Sequence, residues 1–187
     1  LLARPAALWL PSGTMANQVA LAAQVAVGEQ ILCGAGAHCV RYEAGGLAAL
    51  SGVGASQLPG DGRFTADEVQ RAFVPLDLQS SPTTLVAIEN THNLGGGLVW
   101  PPAQFAQVVA AAHALHMRVH LDGARLWNAA IALNRPVAEL AAGADTVTVC
   151  LSKGLGAPAG SVLVGEAALI DKARRLRKRF GGGMRQV

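Results

Sequence analysis

The stretch Asp145-Thr146-Val147-Thr148-Val149-Cys150-Leu151-Ser152-Lys153-Gly154-Leu155-Gly156-Ala157-Pro158-Ala159-Gly160-Ser161-Val162-Leu163-Val164 decides the fold. Two β-branched apolar runs flank one lysine and a glycine-rich turn. Such runs, apolar on both faces, read as buried strands. Lys153 is therefore expected where a strand leaves the core. An amine there loses hydration, and desolvation lowers its pKa towards neutrality. It becomes a candidate nucleophile able to condense with a carbonyl. Gly154, Gly156 and Gly160 remove side chains around it, so a flat ligand can approach the backbone. A lysine that snorkels from a strand end is the alternative this stretch leaves open.

Outward from this stretch, strands alternate with helices. Leu85-Val86-Ala87-Ile88-Glu89 reads as a buried strand that ends in Asn90-Thr91-His92-Asn93 and three glycines. Arg118-Val119-His120-Leu121-Asp122 is the next strand, and Asp122 falls at its carboxyl end. Phe105, Val108, Val109, Ala112 and Leu115 recur at helical spacing, giving a helix over 102–116. Thr65-Ala66-Asp67-Glu68 is a capping box opening a helix to about Phe73. Residues 42–50 read as helical after their glycines, and the last helix runs over 166–180. Gln30-Ile31-Leu32-Cys33 is a short strand followed by His38 in a small-residue loop. The order predicts an α/β fold: a mainly parallel sheet with helices on both faces.

Near the start, Ser12-Gly13-Thr14 precedes an apolar helix reaching about Val27. Ser12 or Thr14 can cap it, and its free N–H groups are a natural seat for a phosphate. An ordinary capped helix is the plainer alternative. A dinucleotide fingerprint from Gly34 needs glycine at 39, which is Cys39, and the loop after Lys153 also fails that spacing. No nucleotide site of that type is expected.

The chain has 187 residues, 51% of them apolar and 14% charged. Its net charge of +3 is local: Lys172, Arg174, Arg175, Arg177, Lys178 and Arg179 supply six positive charges, without which the chain would stand at −3. A general nucleic-acid surface is therefore not expected. No apolar stretch reaches the length of a membrane span. The three cysteines, Cys33, Cys39 and Cys150, show no Cys-x-x-Cys spacing. They favour reduced thiols and a cytoplasmic setting. His113, His116 and His120 lack a further ligand at metal spacing beyond Asp122, so no metal is assigned. The chain begins Leu1-Leu2-Ala3-Arg4-Pro5 and reads as starting mid-domain.

An amine, an acid, a helix cap for phosphate and ring-stacking candidates converge on one sheet edge. A pyridoxal 5′-phosphate site needs this set. At this point the sequence resembles a known family. The carrying motifs are Ser12-Gly13-Thr14-Met15 with Asn17, Ala37-His38, Tyr42-Glu43-Ala44-Gly45-Gly46, Glu89 to Asn93, His120 to Arg125, Cys150 to Pro158, and Gly181-Gly182-Gly183-Met184-Arg185-Gln186. Together, in register along the whole chain, they are similar to the low-specificity L-threonine aldolases. These are fold-type I enzymes of the β-eliminating lyase group.

The resemblance implies roles for individual residues. Lys153 is the amine that holds the cofactor aldehyde as an imine. Asp122 pairs with the pyridinium nitrogen, and His38 stacks on the ring. Gly13 and Thr14 hold the phosphate, assisted by Arg185. Arg125 orients cofactor or substrate oxygens. His92 lies near the substrate's β-hydroxyl, as general base directly or through water. Lys178 aligns with a basic residue near the site; the rest of its cluster reads as a solvated helix face. The implied reaction is retro-aldol cleavage of L-threonine or L-allo-threonine to glycine and acetaldehyde.

The resemblance further implies a homodimer or homotetramer of the full-length protein, with each site built from two subunits. Residues 1–187 are then a partial cofactor-binding large domain. Further chain at both ends is expected, including a small C-terminal domain. The alternative is a catalytically inactive truncated homologue that keeps only the cofactor-binding part of the fold.

Overall fold

The computed structural model describes residues 1–185. Seven strands form one sheet. They are β1 (Ala6–Leu10), β2 (Gln30–Gly34), β3 (Gly54–Leu58), β4 (Thr83–Glu89), β5 (Arg118–Asp122), β6 (Thr146–Cys150) and β7 (Ser161–Gly165). Their order is β1-β7-β6-β5-β4-β2-β3. From β3 across to β6 all neighbours are parallel, while β7 runs antiparallel to both β6 and β1. The carboxyl ends of β2 to β6 therefore open on one edge. That is where open α/β sheets bind ligands.

The helices are α1 (Gly13–Gln24), α2 (His38–Arg41), α3 (Gly46–Ser51), α4 (Ala66–Ala72), α5 (Pro102–Ala114), α6 (Leu126–Leu133), α7 (Val137–Leu140) and α8 (Ala167–Arg179). Leu8, Leu10 and Leu163 of the sheet pack with Ala16, Val19 and Ala20 of α1 and with Ile170 and Ala173 of α8. On the opposite face Val86, Ile88, Val119, Leu121, Val147 and Val149 pack with Phe105 and Val108 of α5 and Leu126 of α6. The side-chain period of two sorts each strand between these cores.

One expectation needs correction. The run 146–150 is not apolar on both faces. Val147 and Val149 join the α5 side. Thr146 and Thr148 turn towards α1, where their hydroxyls meet Gln24 and Asn17. His120 and Asp122 of β5 face the same way, so the centre of the sheet carries a polar stripe under α1. The helix expected after the glycines of 42–50 is α3, which starts at Gly46. Ala44 and Gly45 take left-handed φ values of 52° and 71°, which place a turn between α2 and α3. A Cβ on Gly46 would lie 2.7 Å from the Gln18 amide carbon, so glycine lets that turn rest against α1.

The capping box is present: Thr65 Oγ1 accepts the Glu68 N–H, and Glu68 accepts the Thr65 N–H at 2.7 Å. Leu121 is wholly buried where the sheet meets α5 and α6. Leu121→Ala is expected to lower stability by about 2–5 kcal/mol. The check is a fall in the urea midpoint at unchanged m-value.

Candidate active site

The site is built where β4, β5 and β6 end. Glu89 and Asp122 stand opposite each other in register, as do Asp122 and Thr148. Asp122 is buried. Its Oδ1 accepts the Ala124 N–H at 3.0 Å and its Oδ2 accepts from Asn17 Nδ2 at 2.6 Å. Among the described residues no cation lies within ion-pair distance of it.

α1 starts at the same edge. Ser12 is its N-cap, and its Oγ accepts the Met15 N–H at 3.1 Å. The helix offers no acceptor to the amides of Gly13 and Thr14. A Cβ on Gly13 would press within 2.8 Å of Cys150 Sγ, so glycine seats the helix start against the end of β6. α8 brings the glycine turn 181–183 to the same place. A Cβ on Gly182 would collide with the Met15 thioether, and one on Gly183 would sit 2.9 Å from Lys178 Cδ. Arg185 is exposed beyond this turn, and Gln186 lies outside the described residues. Arg177 corrects the picture of a wholly solvated basic face. It is half-buried and donates from Nη1 to the Trp9 carbonyl at 2.7 Å.

His38 opens α2. Its backbone N–H donates to Glu89 Oε2 at 2.9 Å, and its Nδ1 lies 2.9 Å from Glu43 Oε1. The Glu43 contact raises the His38 imidazole above its ordinary value, outweighing the effect of burial. Its ring centroid is 5.6 Å from that of Tyr42. His38 and Asp122 line one narrow pocket with Asn17, Cys39, Glu89 and His120. Burial, and then Asp122, push the Glu89 carboxyl above the usual range. The Cys39 thiol is driven well up by its contact with Cys33 and by burial, so it is no nucleophile.

His92 is buried beside Gly62, where a Cβ would collide with its ring. Its Nδ1 accepts the Gly95 N–H at 3.1 Å, and Glu89 Oε2 stands 3.7 Å from Nε2. Nε2 has no hydrogen-bond partner among the described residues. Arg125 is half-buried and donates from Nη1 to Asn93 Oδ1 at 2.8 Å, linking the loops after β5 and β4.

Lys153 lies in the turn after β6, one strand from Asp122. It is half-buried rather than enclosed. Two of the glycines expected to admit a ligand make room for protein instead. Gly160 lies under the Trp9 indole, and a Cβ on Gly154 would sit 2.7 Å from Asn128 Oδ1. Gly156, at φ 73°, faces open space. The three histidines weighed for a metal part company. His113 meets Asp145 at 3.2 Å on the surface, while His120 is buried against Thr146 and Asn17.

Sequence reasoning missed Asn17, Glu43 and His120 as site residues. The available signal was polarity out of place: Asn17 and Gln18 interrupt an apolar helix, and His120 sits inside a buried strand.

A parallel-centred sheet with its polar groups gathered at the carboxyl edge defines an α/β enzyme-type large domain. The chain belongs to the beta-eliminating lyase family, whose model matches residues 1–187. The low-specificity L-threonine aldolase 1 of Arabidopsis thaliana is 40% identical over 192 residues, covering all of this chain and 54% of its own length. The low specificity L-threonine aldolase of Escherichia coli (strain K12) is 40% identical over 185 residues, covering 98% of this chain and 55% of its own length. The solved threonine aldolase of Leishmania major superposes with a TM-score of 0.87 at 25% identity, covering 98% of this chain and 55% of that one. This chain thus spans about half the length of the curated relatives it matches. Among the described residues no helix is long and apolar enough to cross a membrane.

Burial pulls the His120 imidazole down to about 4, against the pull of Asp122. An unfolded imidazole titrates near 6.5. Between these values the unfolded chain binds more protons, so stability falls as pH drops from about 6.5 to about 4. Glu89, held above the usual carboxylate range, acts with the opposite sign. The clean readout is therefore a difference between proteins. The urea midpoint of His120→Gln is expected to fall less than that of the parent across this window.

Proposed function

We propose that residues 1–187 are the cofactor-binding part of a pyridoxal 5′-phosphate-dependent lyase that cleaves L-threonine and L-allo-threonine to glycine and acetaldehyde. One observation carries this reading: Asp122, a buried carboxylate with no cation among the described residues, ends the strand beside the Lys153 turn. The residues fit the cofactor. The carboxylate suits a cationic ring nitrogen, the uncapped amides of Gly13 and Thr14 suit a phosphate, and Lys153 offers a primary amine. The cofactor supplies an aldehyde for that amine and a protonated ring that takes up the electron pair freed when the Cα–Cβ bond breaks.

The chain's own residues then divide the work. Asp122 holds the ring nitrogen and keeps its proton in place. His38 presents its imidazole to the ring. Gly13 and Thr14 bind phosphate oxygens, joined by Arg185. Arg125, anchored on Asn93, orients a carboxylate or ring oxygen. His92 meets the β-hydroxyl. With Nδ1 taken by Gly95, its neutral ring carries the proton on Nε2. Nε2 therefore donates to the hydroxyl oxygen, and the hydroxyl proton leaves to water or to the Glu89 carboxylate nearby.

Exposed apolar side chains ring this edge: Tyr42, Leu94, Leu155 and Met184. They support a homodimer or homotetramer in which a second copy completes the site. The three buried free thiols suit a reducing setting such as the cytoplasm. The half-exposure of Lys153 favours a second reading, in which this chain alone seats the cofactor without turnover.

Acetaldehyde release from L-threonine by the full-length protein is the test. Lys153→Ala is expected to abolish it; an active Lys153→Ala protein would end the proposal. The His92 role separates by substitution. Asparagine keeps an acceptor for Gly95 but loses the outer N–H, and kcat should fall by about 10²-fold or more. Glutamine restores a donor near Nε2 and should recover much of the rate. An equally inactive His92→Gln protein would instead make His92 the base.

A further inference from the structure

Asn17 and Glu43 take no part in the reaction as assigned, yet they join its two key side chains. Asn17 is buried and spends its whole amide. Nδ2 donates to Glu43 Oε1 at 2.9 Å and to Asp122 Oδ2 at 2.6 Å. Oδ1 accepts from Thr148 Oγ1 at 2.9 Å and from His120 Nε2 at 3.3 Å. The orientation is over-determined. Two carboxylates hold Asn17 Nδ2, so Oδ1 faces His120 Nε2, and Thr146 Oγ1, which accepts from Gln24 at 2.8 Å, gives its proton to His120 Nδ1, also 2.8 Å away. His120 Nε2 then carries the hydrogen and must donate to Asn17. Turning the Asn17 amide over would set its oxygen against two carboxylates and its NH₂ against two donors.

Glu43 is buried as well. Its Oε1 also takes His38 Nδ1 at 2.9 Å, and its Oε2 accepts from Gln18 Nε2 at 2.6 Å.

We infer that Glu43 and Asn17 are positioning residues that tie the His38 ring to the Asp122 carboxylate, an inference that rests on those two groups flanking the cofactor ring. Glu43 fixes the rotation of His38 through Nδ1. Asn17 clamps Glu43 and Asp122 to one amide nitrogen, holding two like charges apart at fixed positions. Electrostatics gives the clamp a second effect. An imidazolium at His38 balances Glu43 and leaves the charge of Asp122 for a cationic ring nitrogen. The groups facing His38 are Glu43 and Tyr42 from the turn after α2, Cys39 beside it in α2, Glu89 from β4 and Asp122 from β5.

Glu43→Gln isolates the charge. Gln18 Oε1 is buried without a partner, so a turned Gln18 amide can accept from the new side chain and the packing survives. The His38 Cε1–H resonance of the full-length protein is followed against pH by NMR, without added cofactor. The parent should titrate above 6.5. Glu43→Gln should lower the proton affinity of His38 by about tenfold or more, one pH unit, and Glu43→Asp should recover part of it. An unchanged His38 midpoint in folded Glu43→Gln protein overturns the inference. Asn17→Ala supplies the other half: the absorbance band of bound pyridoxal 5′-phosphate should shift its pH dependence by about one unit. A band that titrates as in the parent overturns the clamp. If Asn17→Ala does not fold, the His38 titration decides alone. If the parent binds no pyridoxal 5′-phosphate, the proposed function fails while the His38 titration still tests Glu43.

Discussion

The hydrogen bond from Asn17 Nδ2 to Asp122 Oδ2, 2.6 Å long, ties the first helix to the centre of the sheet. Much of the site's shape depends on it. Asp122 stands in register with Glu89 on one side and Thr148 on the other. Three neighbouring strands thus present polar ends to a single face. A buried carboxylate needs donors. α1 supplies one from Asn17, and the chain after β5 supplies another from Ala124. Helix α1 is in turn seated by the close approach of Gly13 to Cys150, which brings its open amides to the same edge.

Charge placement follows from this constraint. Glu43, Glu89 and Asp122 are three buried acids at one end of one sheet. Each is answered differently. Glu43 meets the His38 imidazole and two side-chain amides. Glu89 accepts the backbone N–H groups of His38 and Asn93. Asp122 is held by the Asn17 amide and the Ala124 N–H, and it ends the strand beside the Lys153 turn. A site with buried carboxylates held by neutral donors, an open helix start and a nearby amine is suited to a small molecule that is cationic at one end and anionic at the other.

Much of this was legible beforehand, for physical reasons. The strand Arg118–Asp122 and the Thr65 capping box are local patterns, and both occur with the expected bounds. The edge strand Ala6–Leu10 went unread because its pairing is with residues 161–165, a contact no local window contains. The inner face of β6 was misjudged because threonine counts towards β-branching while its hydroxyl seeks a partner. Glu43 lay in a quoted motif without a role. Its placement needs the left-handed turn at Ala44 and Gly45, and only tertiary contact shows what that turn delivers. The glycines around Lys153 pointed to a ligand because an absent side chain carries no label; two of them accommodate Trp9 and Asn128.

The central claim is that one amine, at position 153, takes the cofactor aldehyde beside Asp122. Residues 1–187 hold three lysines, Lys153, Lys172 and Lys178, and only Lys153 follows β6 beside Asp122. Borohydride reduction of the full-length protein loaded with pyridoxal 5′-phosphate, followed by peptide mapping, measures where the cofactor becomes attached. A single stoichiometric label on Lys153 is expected. A label on any other lysine, with Lys153 unmodified, would contradict this assignment.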